Sequence, residues 1–385
     1  MKTVVLRAPL LSYSGYGTHS RQIFKWLLTQ NVNVITQVVP WGLTSWMINP
    51  DYENGLVKEI MDRSRSTNQK PDVSIQVQLP NEWSPDLARK NVGVSAYVES
   101  DKCNPQWILA SNQMDHIVVP SNHVKNCIEN TGAIQVPLSV IPEAFYDAIS
   151  SKDLPQLQLE LDTDFNFLLV GQITGNNPHN DRKNIFNTLK WFCEEFKDDK
   201  DVGLVFKTNS GRNTKIDRKI TRKLLNAVLK EVRQGTYPKV HFLHGSMTQQ
   251  EMASLYRHPS IKAFVSLTRG EGYGLPLLEA AASGLPVITT NWSGHLDFMK
   301  RGKFIGVNYK LDDVHPSRVD GKIFVKGSKW AEPLESDAKK RLRKFRDSHE
   351  LPQSWAKDLQ ETLLEEYSQD QINAVYTEHL SGLFE

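Results

Sequence analysis

Short apolar runs alternate with helical patterns along the whole chain. In the first half, "TVVLRA", "NVITQVV", "DVSIQVQL", "NVGVSAYV", "DHIVVP" and "LSVIPE" read as strands. Between them, "THSRQIFKWLLTQ" sets Ile23, Phe24, Leu27 and Leu28 on one helix face. "SNHVKNCIENTG" reads as a helix with Ser121 as N-cap and Gly132 as terminator. The second half repeats the grammar. Strands are expected at "NFLLVGQI", "VGLVFKT", "VHFLHG", "KAFVSL" and "PVITT". Helices are expected at "NIFNTLKWFCEEFK", "KITRKLLNAVLKEV", "TQQEMASLYRHP" and "PLLEAAASG". "FVKGSKWAEPLESDAKKRLRKF" reads as a loop leading into a helix. Strands alternating with helices predict parallel sheets covered on both faces. The fold class is therefore α/β, with two doubly wound domains facing one cleft. The polar segment "SSKDLPQLQLELDTD", which contains Pro155, is the expected linker. It divides an N-terminal domain, 1–155, from a second domain, 156–365. A last helical pattern within 366–385 could pack back on the N-terminal domain.

Composition narrows this picture. The chain has 385 residues, 39% hydrophobic and 23% charged, enough for two cores. A net charge of +2 gives no whole-protein attraction to nucleic acid or acidic membranes. Three well-separated cysteines, with no CxxC, point to a reducing, cytoplasmic setting. No apolar run approaches the ~20 residues that span a bilayer.

The chemistry concentrates in "RGEGYGLPLLEAAASGLPVITTNWSG", residues 269–294. Gly270, Gly272 and Gly274 follow an apolar strand, and Pro276 suits the first turn of the helix that follows. Open α/β sheets bind ligands at such a strand end, where helix N-terminal amides favour phosphate. Glu271 and Glu279 would repel a phosphate, so hydroxyl donors are their expected partners. A nucleotide sugar, with a diphosphate between two polyols, satisfies all of these groups.

The stretch "EGYGLPLLE" resembles the E-x7-E signature of retaining glycosyltransferases of family 4. "GYGTHSRQI", "LLVGQITGNNPHNDRKNIFNTL" and "VHFLHGSMTQQEMASLYRH" resemble further pieces of that family, so the likeness covers most of the chain. It implies the GT-B fold: two Rossmann-like domains facing a central cleft that holds the donor. It also implies roles. Glu271 would bond the transferred sugar and Glu279 the ribose, while the amides of Gly272, Tyr273, Gly274 and Leu275 would face the diphosphate. Lys183, in "DRKN", matches the family lysine that steadies the leaving nucleotide. Gly15 and Gly17 would let the backbone approach the diphosphate. Glu99 and Asp101, in "YVESDK", resemble a segment where acceptor and sugar meet. One departure stands out. Gln172 occupies the place of the family's usual phosphate arginine, so Arg182 or Lys207 is expected to supply that charge; a plain surface role is the alternative for each. Tyr16 and His19 are further candidates for the cleft.

No Asp-x-Asp pair sits at a strand end. Asp162 with Asp164, and Asp199 with Asp201, read as solvated turns, so no metal and no cofactor is expected. Two basic runs, "GRNTKIDRKITRK" and "KKRLRKFR", read as solvated helix faces or as attractors of a polyanionic acceptor. The expected activity is transfer of a sugar to a hydroxyl of a glycan, a lipid or another polyanionic acceptor such as modified nucleic acid. The alternatives are a nucleotide-sugar epimerase, a phosphorylase, or a non-catalytic binding module on the same fold.

Overall fold

The structure is a computed structural model and describes residues 1–67 and 69–385. The chain forms two compact units. The first comprises Met1–Ala144, Gly321–Val325 and Tyr367–Glu385; the second comprises Phe145–Asp320 and Lys326–Glu366. The chain thus passes into the second unit at Phe145, ahead of the polar segment around Pro155.

In the first unit, β1 (Lys2–Ala8) leads to α1 (Gly15–Leu28), β2 (Val32–Val38), α2 (Leu56–Asp62) and β3 (Val73–Val77). Next come β4 (Lys90–Val94), α3 (Pro105–Ser111), β5 (His116–Val119), α4 (Asn122–Glu129) and β6 (Leu138–Val140). The six strands pair in parallel in the order β2-β1-β3-β4-β5-β6. Connections therefore reverse direction between β1 and β3, the point where doubly wound sheets open a crevice at their carboxyl ends.

Two local expectations are corrected here. The strand expected over 91–98 ends at Val94. Tyr97 adopts φ 50° and buries its ring against Trp83 and Trp107, leaving the ladder to serve the core. The resemblance makes "GYGTHSRQI" a glycine loop after the first strand, but its glycines are helix: α1 begins at Gly15, and the Ser14 hydroxyl accepts from the Gly17 amide at 3.0 Å. Gly17 is required by packing, because a Cβ there would meet the Ser12 carbonyl oxygen at 2.1 Å.

The second unit contains β7 (Phe165–Val170), α5 (Ile185–Glu195), β8 (Val202–Thr208), α6 (Lys215–Val232), β9 (Lys239–His244) and α7 (Gln249–Tyr256). It continues with β10 (Ile261–Ser266), α8 (Leu275–Ala282), β11 (Val287–Thr290), α9 (Leu296–Met299) and β12 (Ile305–Val307). An antiparallel hairpin, β13 (Tyr309–Asp313) and β14 (Lys329–Pro333), precedes α10 (Glu335–Asp347) and α11 (Glu350–Glu366). The final helix, α12 (Gln369–Leu380), belongs to the first unit, where Tyr376 stacks on Trp26. The six parallel strands of the second unit run β12-β11-β10-β7-β8-β9. In chain order this is the 3-2-1-4-5-6 arrangement of dinucleotide-binding sheets, with its switch point between β7 and β10. Phe167, Phe192, Phe196 and Phe345 fill the core beneath it. The hairpin, α2, α3, α9, β12 and α11 were not anticipated from periodicity, since most are short and the hairpin strands are largely polar.

Candidate active site

Two loops leave the sheet of the second unit at its switch point. One follows β7 and spans 171–184; the other follows β10 and spans 267–274. The first is tied by Asp181, which is fully buried. Its carboxylate accepts from the amide and hydroxyl of Thr174 (2.9 and 2.6 Å) and from the Ile185 amide (2.6 Å). The loop is thereby folded onto the start of α5, and Asn184 takes the left-handed φ of 55° at the helix entrance. The second loop ends at Gly274, whose φ of 103° turns the chain into α8 with Pro276 in its first turn.

The two loops meet at Glu271. The Lys183 ammonium donates to both carboxylate oxygens at 2.7 Å, and Arg182 Nη1 lies 3.3 Å from Oε2. Arg182 Nη1 also donates to the Gly270 carbonyl at 2.6 Å. Glu271 is 6% exposed. Burial alone would raise its pKa, but the charges of Lys183 and Arg182, with hydrogen bonds from Lys183 and Thr268, bring it down to about 2. The carboxylate is therefore ionised at every working pH and sits beside two cations at a helix N-terminus.

A buried relay fixes the Glu271 backbone. Its amide donates to Ser293 Oγ at 2.9 Å, and its carbonyl accepts from the Gly294 amide at 2.9 Å. His295 Nε2 lies 2.9 Å from the Thr290 carbonyl, which can only accept, so Nε2 carries the proton. Nδ1 is then the acceptor for the Ser293 hydroxyl at 3.3 Å, leaving that oxygen's lone pairs for the Glu271 amide. Burial lowers His295 to about 4, so the ring is neutral and the relay keeps one polarity. Ser293 holds a φ of 91° to do this. Neither Ser293 nor His295 was picked out from sequence; the polar "SGH" a few residues beyond the strand "PVITT" was the available signal.

Glu279 has a different environment. It is 2% exposed, and the Tyr256 hydroxyl donates to it at 2.8 Å, with Tyr146 bonding it as well. Burial raises its pKa to about 8, against the pull of those two hydrogen bonds. The folded state therefore holds a proton that the unfolded chain releases near pH ~4.3. Stability contributed by the neutral acid is complete at low pH and fades as pH rises from about 4.3 through 8. Glu279→Gln keeps an acceptor for Tyr256 and removes the ionisation. Its melting temperature should match wild type at pH 5 and exceed it at pH 8.5 by roughly 4–8 °C, or about 2 kcal/mol. Scanning calorimetry at the two pH values checks this; an equal gap at both would show that Glu279 does not titrate in this range.

Residues 226–315, which include Glu271 and Glu279, match the family model described as Glycosyl transferases group 1. No curated protein matches the chain. Solved structures match it in fold. Anabaena HepE, in complex with UDP and glucose, is 13% identical, with 99% of this chain and 100% of that one covered and a TM-score of 0.63. Sucrose-phosphate synthase from Thermosynechococcus elongatus is 13% identical, with 100% and 99% covered and a TM-score of 0.63. The pneumococcal O-GlcNAc transferase GtfA, in complex with UDP and GlcNAc, is 12% identical, with 86% of this chain covered and a TM-score of 0.55. The chain spans only 60% of the length of GtfA.

The fold is GT-B. Each of its two Rossmann-like domains carries one six-stranded parallel sheet.

Within the second GT-B domain, Arg182 is held among protein groups, its side chain 12% exposed. Lys207, at the carboxyl end of β8, is 5% exposed, which excludes the solvated reading. Its ammonium donates to the Gly245 carbonyl at 2.6 Å and to Asn209 Oδ1 at 2.9 Å. Burial lowers it to about 8, partly offset by the charge of Glu251. Gln172 is exposed. Gly272, Tyr273 and Leu275 are buried around Glu271 and the start of α8.

In the first GT-B domain, Glu99 and Asp101 are half-buried in the loop after β4, and the Asp101 carbonyl accepts from Asn130 at 3.0 Å. Tyr16 stacks on Trp41 with ring centres 3.9 Å apart, and its hydroxyl lies 3.0 Å from both Ser95 Oγ and the Ala96 amide. His19 is buried against α12, with Nε2 2.8 Å from the Tyr376 hydroxyl, and burial lowers it to about 3. It is a packing residue.

The run "KKRLRKFR" lies in α10, and three of its six basic side chains pair with acids on and just after α5. Lys339 pairs with Glu194, Arg343 with Glu195, and Arg346 with Asp199. Asp199, read from sequence as part of a solvated turn, is thus a paired residue. The first run begins α6 and is exposed. Among the described residues, no helix is long and apolar enough to cross a membrane.

Proposed function

We propose that the protein is a retaining, metal-independent glycosyltransferase of the family 4 type. It moves a sugar from a nucleoside diphosphate sugar to a hydroxyl of an acceptor. The observation that carries this reading is the cluster at the β7/β10 switch point, where a buried, ionised Glu271 is held between Lys183 and Arg182. A donor diphosphate at the start of α8 would take the two cations and the amides of Tyr273, Gly274 and Leu275. Lys207 is the further cation on the same sheet edge. Glu271 would then accept from the sugar's hydroxyls. Glu279 would serve the ribose through whichever oxygen its tyrosines leave accessible. The family match over 226–315 and the UDP complexes of two fold relatives support a nucleotide-sugar donor.

In the reaction, the bond between the sugar's anomeric carbon and the diphosphate oxygen breaks. The acceptor oxygen bonds that carbon from the same face, and its proton passes to the departing phosphate. Charge grows on the diphosphate as this happens, and fixed cations stabilise it without reorganising. Lys183 and Arg182 do the work a divalent metal does elsewhere, so no cofactor is needed beyond the donor. By the family resemblance, Glu99 and Asp101 would orient the attacking hydroxyl of a glycan, lipid or other polyanionic acceptor. The free thiols of Cys103, Cys127 and Cys193 fit action in the cytoplasm.

A thermal-shift panel of UDP, ADP, GDP and their sugars tests the donor reading. One base series should raise the melting temperature, and its nucleotide sugar should be hydrolysed slowly without acceptor. If no nucleotide stabilises the fold, the donor site does not exist.

A further inference from the structure

Arg269 lies two residues before Glu271 and is 2% exposed. Its guanidinium forks onto Glu332 of β14, with Nε 2.6 Å from Oε2 and Nη2 2.8 Å from Oε1. Nη1 donates to the carbonyls of Pro178 and Asp181 at 2.8 and 2.6 Å. The Arg269 amide donates to the Arg182 carbonyl, and its carbonyl accepts from the Ala331 amide, both at 2.9 Å. The guanidinium also lies 5.3 Å from the centre of the Trp330 ring. One side chain and its peptide groups thus join three segments: the Glu271 loop, the loop carrying Arg182 and Lys183, and the hairpin.

The hairpin region touches that cation loop at three more places. Asn180 donates to Ser317 Oγ at 3.2 Å, and Arg318 donates to the Thr174 carbonyl at 3.3 Å. The rings of His179 and His315 stack with centres 5.3 Å apart. The loop at 174–183 has no ladder of its own, so its backbone carbonyls need partners from outside. A bidentate Arg–carboxylate pair is rigid in both distance and angle, unlike a lysine contact.

We infer that Glu332 and Arg269 are positioning residues: through the hairpin, they set Arg182 and Lys183 at the height where a donor diphosphate is bound. The inference rests on the proposed donor reading. Cations misplaced by about 1 Å lose hydrogen-bond contact with a phosphate, and such shifts can cost about 10²-fold in a positioned site. A nucleoside without phosphates has nothing to lose there.

The test uses the full chain with Glu332→Ala and Glu332→Gln. Binding of UDP, ADP and GDP is compared with binding of uridine, adenosine and guanosine by calorimetry. Amide hydrogen exchange over 174–183 is measured without ligand. Glu332→Ala should weaken the diphosphate relative to its nucleoside by about ten- to hundredfold. It should also speed exchange in that loop. Glu332→Gln keeps the shape and one acceptor, so it should fall between Ala and wild type, and it carries the test if the alanine variant does not fold. An unchanged diphosphate-to-nucleoside ratio overturns the inference. So does unchanged exchange over 174–183, whatever binds. Wild-type protein that binds no nucleotide would instead overturn the donor reading, with the exchange result still deciding the role of Glu332.

Discussion

Glu271→Gln should lower sugar transfer by about 10²–10³-fold in kcat/KM, while affinity for the bare nucleoside diphosphate stays equal or tightens. The two halves of this expectation have separate causes. The carboxylate would accept hydrogen bonds from the sugar, and Gln replaces one charged acceptor with a donor, so the transferred group is held in the wrong place. In the ligand-free protein, Glu271 also occupies Lys183 on both oxygens and Arg182 on one. It therefore competes with a diphosphate for those cations, and removing its charge frees them. Steady-state kinetics with isothermal titration of the nucleoside diphosphate separates the effects. Equal losses in transfer and diphosphate affinity would mean that Glu271 organises the site without touching the sugar. While Lys183 and Arg182 are on its oxygens, its pKa of about 2 keeps Glu271 ionised between pH 5 and 9. Because this carboxyl is depressed on folding, the stability it contributes is present above pH ~4.3 and is lost only as pH falls toward 2.

Lys183→Ala should give the opposite pattern. Diphosphate affinity should fall by about 10–100-fold and kcat by about 10²-fold, since the same cation binds the ground state and the charge that grows on the leaving group. Lys183→Arg should not restore wild-type activity, because a planar fork cannot reproduce an ammonium centred between both oxygens of Glu271. A double-mutant cycle with Glu271→Gln checks the geometry. The two sites touch, so their effects on nucleotide affinity should be non-additive. Additive effects would place the diphosphate away from Lys183.

The buried state of Glu279 changes how the second acid of the sequence signature is understood. From sequence it is an acid in the opening turns of a helix, with an ionised side chain that faces hydroxyls. In the fold it is enclosed, shared with Tyr256 and Tyr146, and close to neutral at physiological pH. A neutral acid can donate as well as accept. Its use toward a ribose would therefore include a proton that the ionised form lacks.

The periodicity of the chain by itself determined the element types. The six strands of the first sheet and five of the six in the second carry the short apolar runs, alternating with helical patterns, that a parallel sheet calls for. The short β12 and the polar hairpin escaped because too few apolar residues mark them. Residue chemistry also determined which positions deserved notice: Glu271, Lys183 and the glycines around them stand out in the bare sequence. Which of these groups meet was decided only by tertiary structure. Lys183 and Glu271 lie 88 positions apart and are joined because β7 and β10 are neighbours. Strand order follows from long-range burial, which local periodicity does not encode. The same holds for Arg182, Lys207, Arg269 and Glu332. A charged side chain in a loop or near a strand end reads as solvated until the fold removes its water, and only then do the partners that compensate its burial become visible.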